Sequence, residues 1–257
     1  MNRPANRRSR RPILVLAVLA VIAGILYLIF RNLLTVPPEE AVSRGKELLQ
    51  KKTVLAVVAH PDDLEWYIGG TLHRLAQAGA NVQVVVASSG EKGPNRFDAP
   101  NLPGVREQEQ SAAGKINGYT RIHFLRLPDR GVAKDPRFVP EVTRIFNEVR
   151  PDAVFVFDPD YPSLPYLHAD HQGSARLFLG FWNTLGADRP PVYLFQTRRP
   201  DVAVDISDAI ETKALALSQH RSQYGNRDPN GGRMLEVFRS EGSRVGVEFA
   251  ELFRLLR

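Results

Sequence analysis

The sequence predicts an α/β protein with a doubly wound, mostly parallel, Rossmann-like sheet and an N-terminal transmembrane helix. Two observations predict it: runs of β-branched apolar residues alternate with segments of helical periodicity, and a long uncharged segment lies near the start. Strands separated by helices join through right-handed crossovers and therefore pair in parallel. The expected strands are 53–59, 82–87, 122–127, 153–157, 192–195 and 202–206, and the expected helices are about 66–78, 105–117, 138–149, 171–183 and 208–220.

The segment 13–30 has the length and composition of a membrane span. Its 18 consecutive uncharged residues would rise about 27 Å as a helix, close to the thickness of the hydrocarbon core of a bilayer. A cleaved signal peptide is the alternative, but its apolar region is shorter and ends in small residues, whereas this segment ends in Tyr-Leu-Ile-Phe. Five arginines precede the segment, which predicts a single-pass cell-membrane protein with a cytoplasmic N-terminus and an extracytoplasmic body.

The expected domain organisation has four parts. Residues 1–12 form a basic cytoplasmic tail, residues 13–30 the transmembrane signal anchor, residues 31–52 a stalk, and residues 53–257 a single α/β domain. The stalk is assigned because a pair of prolines stops any continuing helix and the following residues are mostly polar.

Charge and cysteine content exclude several functions. The net charge is +6, but residues 1–31 hold six arginines and no acid, and the remainder carries 28 basic and 28 acidic residues. The body is therefore formally neutral, which argues against nucleic acid or a polyanion as the partner, and no protein partner can be read from the sequence. Because the chain has no cysteine, any metal must be bound by His, Asp or Glu.

A first cluster of chemically active side chains follows the first strand. His60, Asp62 and Asp63 lie within four residues, at the strand end where doubly wound sheets place their ligands. His60 and Asp63 are close enough across a turn to bind one cation, and both donor types suit zinc. Asp62 would then stand beside the metal as a general base. The alternative is a helix start, where aspartate is favoured as a cap.

A second cluster, residues 168–171, follows the fourth strand and again opens a helix. The alternative is capping by Asp170 with two surface histidines. A doubly wound sheet brings both strand ends to one edge, so one imidazole from this cluster would complete three protein ligands. The fourth position would stay open for water, as in catalytic zinc sites.

The sequence resembles the PIG-L/LmbE family of zinc-dependent N-acetylglucosaminyl deacetylases over residues 53–257. The family's AHPDD motif stands at 59–63 and its HxDH motif at 168–171. The two motifs are specific in combination and in order, whereas the weaker agreements mean little alone. Those are Glu65, Gly69-Gly70-Thr71, Ser89-Gly90-Glu91, Arg106, Glu109, Leu127-Pro128-Asp129, Lys213-Ala214-Leu215, His220-Arg221-Ser222-Gln223 and Ala250-Glu251-Leu252-Phe253.

The resemblance implies a ligand set and a base. Zinc would be bound by His60, Asp63 and His171, with Asp62 as the general base. His168 would be a second catalytic group that stabilises the oxyanion of the transition state.

The resemblance also implies three supporting roles. Asp170 would orient His168 or cap the helix. Arg106 would contact sugar hydroxyls, unless it forms a salt bridge with Glu109 on the helix face. Asp129 would lie near the substrate, unless it is only a turn residue.

Three features depart from the family pattern. Trp66 and Tyr67 stand where small or aliphatic residues are usual; core packing is the favoured interpretation and stacking on a sugar the alternative. The stretch 158–167 is longer than expected and could form part of a substrate-binding rim. Ala169 stands where proline is common in the HxDH motif, a change that leaves the spacing of the proposed ligands untouched.

The function that the resemblance implies is hydrolysis by a membrane-anchored zinc enzyme. It would remove the acetyl group from an N-acetylglucosamine-containing glycoside or glycan, with an N-acetylated amino sugar as the binding partner. One alternative is a zinc amidase acting on a non-acetyl amide. The other is a catalytically silent sugar-binding module, against which the intact metal and base residues argue.

Overall fold

The structure, a computed structural model, describes residues 11–30, 33–161, 169–187, 189–226 and 232–257. It contains one seven-stranded sheet with the strand order β3-β2-β1-β4-β5-β7-β6. The strands are β1 (Thr53–Val58), β2 (Asn81–Ser88), β3 (Arg121–Leu127), β4 (Ala153–Phe157), β5 (Val192–Phe195), β6 (Val202–Asp205) and β7 (Ala250–Leu256). The six expected strands are all present.

The helices lie between strands, as in crossover connections, except for the first two, which precede β1. They are α1 (Arg11–Phe30), α2 (Pro38–Leu48), α3 (Asp63–Tyr67), α4 (Gly69–Gln77), α5 (Leu102–Asn117), α6 (Phe138–Val149), α7 (Ala169–Trp182), α8 (Ile210–Leu217), α9 (Arg221–Tyr224) and α10 (Arg233–Ser243), with 3₁₀ turns at Val132–Lys134 and Asn183–Leu185. One group, α6 and α7, packs together and against β1, while α4, α5 and α8 pack against one another.

The sheet is parallel except at β7. β1 pairs in parallel with β2 and β4, and β4 pairs in parallel with β5. β7 lies between β5 and β6 and is antiparallel to both, so the sheet is mixed. The sequence analysis did not predict β7, because its partners lie about 50 residues or more before it and no local turn signal marks them.

The segment 31–52, expected to be a stalk, contributes a packed helix. α2 lies against β6, with Ala41 and Leu48 fully buried. A Cβ added at Gly45 would overlap the backbone carbonyl of Ala203. The structure therefore differs from the expected linker, since part of it is held on the sheet by close backbone contact.

The N-terminal segment requires a correction. Among the described residues, none of the helices combines the length and the apolar character needed to cross a bilayer. This finding contradicts the transmembrane helix and the single-pass membrane localisation predicted from the sequence.

The packing of α2 can be tested by adding one methyl group. Gly45→Ala should lower the free energy of unfolding by about 1–3 kcal/mol, because the backbone of α2 must move away from β6. Gly180→Ala is the matched control: Gly180 is an exposed helical glycine with open space at its Cβ position, so this variant should gain about 0.5–1 kcal/mol. Denaturant unfolding measures both. Equal stability of the two variants would show that α2 is not held against the sheet.

Candidate active site

The candidate site lies where the strand order of the sheet reverses. The chain steps outward from β1 to β2 and β3, then returns to place β4 on the other side of β1. The carboxyl ends of β1 and β4 are therefore adjacent, and ligands of doubly wound sheets bind at such a point. His60 follows β1, and His171 lies in the first turn of α7 after β4. The topology thus brings the two sequence clusters together.

Donor atoms of three residues converge at this point. His60 Nδ1 lies 3.3 Å from His171 Nε2, His171 Nε2 lies 3.1 Å from Asp63 Oδ1, and His60 Nδ1 lies 3.8 Å from Asp63 Oδ2. An ion with tetrahedral bonds of about 2.0–2.1 Å holds its ligands about 3.3 Å apart. The spacing therefore fits one metal ion, and the three residues form a group able to bind one.

Packing fixes the orientation of these ligands. The His171 ring stacks on Phe157 with centroids 3.9 Å apart and an interplanar angle of 7°. Asp63 Oδ2 accepts a hydrogen bond of 2.8 Å from the His60 amide. Burial by itself would raise the pKa of the Asp63 carboxyl, but His171 and His60 lower it to about 2. Asp63 is therefore an ionised ligand at neutral pH.

Two further carboxylates face the other nitrogen of His60. Asp129 Oδ1 lies 3.1 Å from His60 Nε2, and Asp170 Oδ2 lies 3.7 Å from it. The sequence analysis predicted that Asp129 lies near the substrate, and this stays a prediction, since Asp129 lines the cavity. Its carboxylate also contacts the outer nitrogen of His60, as carboxylates beside metal-binding histidines commonly do. His60, Asp129 and Asp170 form a second group that could bind a cation. Asp170 stands in the first turn of α7, consistent with either role considered for it.

Asp62 lies beside the ligand group without belonging to it. Its backbone is in the left-handed region, with φ of 92°, a strained conformation for a residue with a side chain. Its amide donates a 3.0 Å hydrogen bond to Gln110 Oε1. Burial raises the pKa of the Asp62 carboxyl, although Arg106 opposes the shift. A carboxyl with a raised pKa is suited to accept and return a proton.

Arg106 supports the turn that carries Asp62. Its guanidinium donates to the backbone oxygens of Pro61 at 2.6 Å and Gly90 at 2.8 Å, and lies 3.5 Å from Asp62 Oδ1. Only 3% of Arg106 is exposed. Arg106 also lines the cavity above the site. Its contact with the hydroxyls of a sugar stays a prediction. The alternative salt bridge with Glu109 is not formed, since Glu109 accepts from Ser222 instead.

A buried network holds α3 in place, and its extent was not evident from the sequence. Glu65 is fully buried and bonds to Gln110, Asn117, Tyr119 and His220. The sequence signal was a glutamate two residues after the AHPDD motif, in an apolar surrounding. Because a buried carboxylate needs several donors, that signal alone predicts a polar network around it.

An open cavity of about 630 Å³ lies above the ligand group. Its lining includes His60, Asp62, Asp63, Lys92, Gly93, Pro94, Arg106, Asp129, Arg130, Ala169, Asp170, His171 and Gln223. His168 and the stretch 162–168 lie outside the described residues, so the role of His168 as a second catalytic group stays a prediction.

Trp66 and Tyr67, the two aromatic residues that depart from the family pattern, pack beside the ligand group. The Tyr67 ring meets Phe157 edge-on, with centroids 5.3 Å apart, and its hydroxyl accepts a hydrogen bond from Gln196. Trp66 stacks on Tyr224 with an interplanar angle of 9°. Both are half-buried, and they agree with the interpretation as packing residues.

The family model described as PIG-L, GlcNAc-PI de-N-acetylase, matches residues 55–181. The chain belongs to the PIG-L family. The diacetylchitobiose deacetylase of Thermococcus kodakarensis is 29% identical, over 67% of this chain and 70% of that protein. The 1D-myo-inositol 2-acetamido-2-deoxy-α-D-glucopyranoside deacetylase of a Mycobacterium species (strain JLS) is also 29% identical, over 69% of this chain and 76% of that protein.

A solved structure extends this likeness to the fold. The N,N'-diacetylchitobiose deacetylase of Pyrococcus horikoshii, in complex with an inhibitor, is 26% identical with a TM-score of 0.73, covering 85% of this chain and 88% of that one. Together with the family match, the named relatives identify this PIG-L protein as an enzyme. It is a metal-dependent amidohydrolase of the carbohydrate N-deacetylase type.

Asp129 should contribute to metal affinity through His60. In Asp129→Asn the hydrogen-bonded carboxylate is lost, so we expect metal binding about 10–100-fold weaker, the usual effect of removing such a partner. Competition with a chromophoric chelator measures the affinity. Asp208→Asn removes an exposed carboxylate that faces Arg74 and does not line the cavity, and this variant should bind metal as the unchanged protein does. Unaltered affinity in Asp129→Asn would exclude the orienting role.

Metal binding should release a proton from His60. Burial lowers the pKa of His60, but the carboxylates of Asp129, which accepts a hydrogen bond from the ring, and of Asp170 and Asp63 nearby outweigh it and raise the pKa to about 10. The metal-free protein therefore holds this proton at pH 7, and an ion at Nδ1 must displace it. Metal affinity should rise with pH by up to about tenfold per unit and level off near pH 10. Calorimetry in buffers of different ionisation enthalpy counts the protons; an affinity independent of pH would contradict the assignment.

Proposed function

We propose that the protein removes the acetyl group from an N-acetylglucosamine residue of a glycoside or glycan, using a zinc ion bound by His60, Asp63 and His171. One observation carries the proposal: donor atoms of three residues lie 3.1–3.8 Å apart, with the carboxyl of Asp62 beside them in an open cavity. The named relatives act on N-acetylated sugars, which supports an N-acetyl amide as the bond that is cleaved.

The donor set supports zinc. Two imidazole nitrogens and one carboxylate oxygen suit a borderline metal ion, and three protein ligands leave one position open to water or substrate. Magnesium and calcium prefer oxygen ligands alone. When bound, the ion would act as a Lewis acid: it would polarise the amide carbonyl and lower the pKa of the attacking water.

Asp62 moves the protons of the reaction. Its carboxylate takes a proton from the attacking water while the water oxygen adds to the amide carbon. As the bond between that carbon and nitrogen breaks, Asp62 returns the proton to the leaving nitrogen, which gives acetate and a free amino sugar. The raised pKa of Asp62 suits both steps, because a weakly basic carboxylate would hold the proton poorly.

The supporting residues keep these groups in position. Arg106 holds the Asp62 turn through the Pro61 carbonyl, and Gln110 binds the Asp62 amide. Asp129 accepts a hydrogen bond from His60 Nε2, which leaves the Nδ1 lone pair directed at the ligand group. Such fixed orientation lowers the cost of reaching the reactive geometry.

The division of labour between two neighbouring aspartates tests the proposal. Asp62→Asn should keep one zinc per chain and lose at least about 100-fold in kcat, because the proton acceptor is gone. Asp63→Asn should lose zinc at dilute protein concentration. Asp208→Asn, at an exposed position, should keep both zinc and activity. Zinc content by mass spectrometry and acetate release from N-acetylglucosamine glycosides are the measurements.

The same assay separates the proposal from its alternatives. Release of another acid from an N-acyl sugar, with no acetate, would favour an amidase of different acyl specificity. Sugar binding by zinc-loaded protein with no acid released from any N-acyl sugar would favour a silent binding module. Equal zinc content and equal activity in the Asp62 and Asp63 variants would overturn the assigned roles.

A further inference from the structure

Two cations stand on one wall of the cavity, over the ends of β2 and β3. Lys92 follows β2 and Arg130 follows β3, and both line the cavity. Both side chains are exposed, so they reach solvent at the mouth. Neither residue takes part in binding the proposed metal or in the proton transfer.

Hydrogen bonds between the two loops hold this pair of cations in place. Lys92 Nζ donates to the Asp129 carbonyl at 2.8 Å, and the Lys92 amide donates to Asp129 Oδ2 at 2.9 Å. Arg130 Nη2 donates to the Lys92 carbonyl at 3.2 Å. Residues 90–93 and 128–131, named here the rim loops, are thus tied to each other beside the ligand group.

The backbone of the rim loops is constrained as well. Arg130 has a φ of 60°, a conformation that costs energy for a residue with a long side chain. A Cβ added at Gly93 would meet Gln223 Oε1 at 2.8 Å, so the loop beside Lys92 lies close against its neighbours. Close packing at Gly93 and the left-handed backbone of Arg130 therefore restrict where the two loops can place their charges.

Neither charge is neutralised by a carboxylate in the described part of the chain. The ion pairs found there, such as Arg126 with Glu107 and Arg106 with Asp62, do not include Lys92 or Arg130. The side chains of these two residues donate hydrogen bonds to main-chain oxygens only. The cavity carboxylates have other partners: Asp63 contacts His171, Asp62 faces Arg106, and Asp129 bonds to His60. The wall formed by the rim loops thus presents unpaired positive charge.

We propose that Lys92 and Arg130 bind an anionic group of the substrate, a carboxylate or a phosphate attached to the N-acetylglucosamine residue. This rests on the proposed function, because it concerns the substrate of the same site. Arginine and lysine both bind these groups through charge-assisted hydrogen bonds. The neutral overall charge of the body does not oppose this, since a fixed pair of cations acts locally whereas bulk charge acts through long-range attraction.

Matched substrates test the proposal. The 2-hydroxyethyl glycoside of N-acetylglucosamine is neutral, the carboxymethyl glycoside carries a carboxylate, and the 1-phosphate carries a phosphate. We expect kcat/KM for an anionic substrate to exceed that for the neutral one by about tenfold at low salt, mainly through KM. The two anionic substrates decide between carboxylate and phosphate. The preference should shrink as sodium chloride rises.

Charge variants assign the preference to the rim loops. Lys92→Gln and Arg130→Gln should each reduce the anionic-to-neutral ratio of kcat/KM about three- to tenfold, and the double variant should abolish it. Lys92→Arg and Arg130→Lys should keep most of the ratio. Lys134→Gln removes a nearby exposed charge that does not line the cavity and should leave the ratio unchanged. Thermal melting checks that each variant is folded.

A binding measurement separates this proposal from the proposed function. Calorimetry on the zinc-loaded Asp62→Asn protein compares the affinities of the three glycosides without turnover. If an anionic substrate binds more tightly than the neutral one, and this difference is lost when Lys92→Gln and Arg130→Gln are added to the Asp62→Asn protein, the anion site is supported. This holds even if no acetate is released and the deacetylase assignment fails. Equal affinities, or a preference that survives both substitutions, would overturn the anion site while leaving a measured deacetylase activity intact.

Discussion

The parallel pairing of β1 with β4 is the constraint on which the site depends. The register sets Val54 opposite Ala153 and Ala56 opposite Phe155, so the two strands end level with each other. His60 and His171 are separated by 111 residues in sequence, yet their ring nitrogens approach to 3.3 Å. A slip of one residue would move a strand end by about 3.3 Å, as much as the spacing between the ligands. The burial of both strands opposes such a slip, because each of them packs apolar side chains on both faces.

Strand register alone does not fix the turn that carries the two aspartates. That turn leads into α3, and α3 is held by Glu65, whose fully buried carboxylate gathers donors from α5 and from the residues around α9. A buried charge that lost these donors would be strongly destabilising. The network therefore couples distant segments, including His220, to the position of Asp62 and Asp63. The second buried carboxylate, Glu251 on β7, similarly accepts from Lys213 and from the amides that open α4.

Features that are local in sequence could be predicted, and features that depend on distant contacts could not. Hydrophobic runs predicted six strands, and the two clusters at strand ends predicted that His60 and Asp63 meet one imidazole of residues 168–171, because topology brings strand ends together whatever the loops do. The choice of His171 came from the family resemblance. The packing of Gly45 on Ala203 left no local signal, since a glycine in a polar helix is also typical of a linker. Two further contacts could not be predicted, because each joins residues that are distant in sequence. They are the contact between His60 and Asp129 and the hydrogen bond from Arg130 to the Lys92 carbonyl. Overall charge could not locate this pair of cations either, because neutrality of the body does not say where individual charges stand.

The neighbours Asp62 and Asp63 show how one turn gives two identical side chains different chemistry. Asp63 points between two imidazoles, and their positive charge and hydrogen bonds overcome the effect of burial and lower its pKa to about 2. Asp62 is turned the other way by its left-handed backbone, so burial dominates and raises its pKa even with Arg106 nearby. Groups whose environments push their pKa values apart are suited to different tasks, in the proposed function a metal ligand and a proton carrier. The left-handed backbone of Asp62 has a consequence for that division: the Asp62 carboxylate stands outside the group formed by His60, Asp63 and His171, as a base beside a metal must.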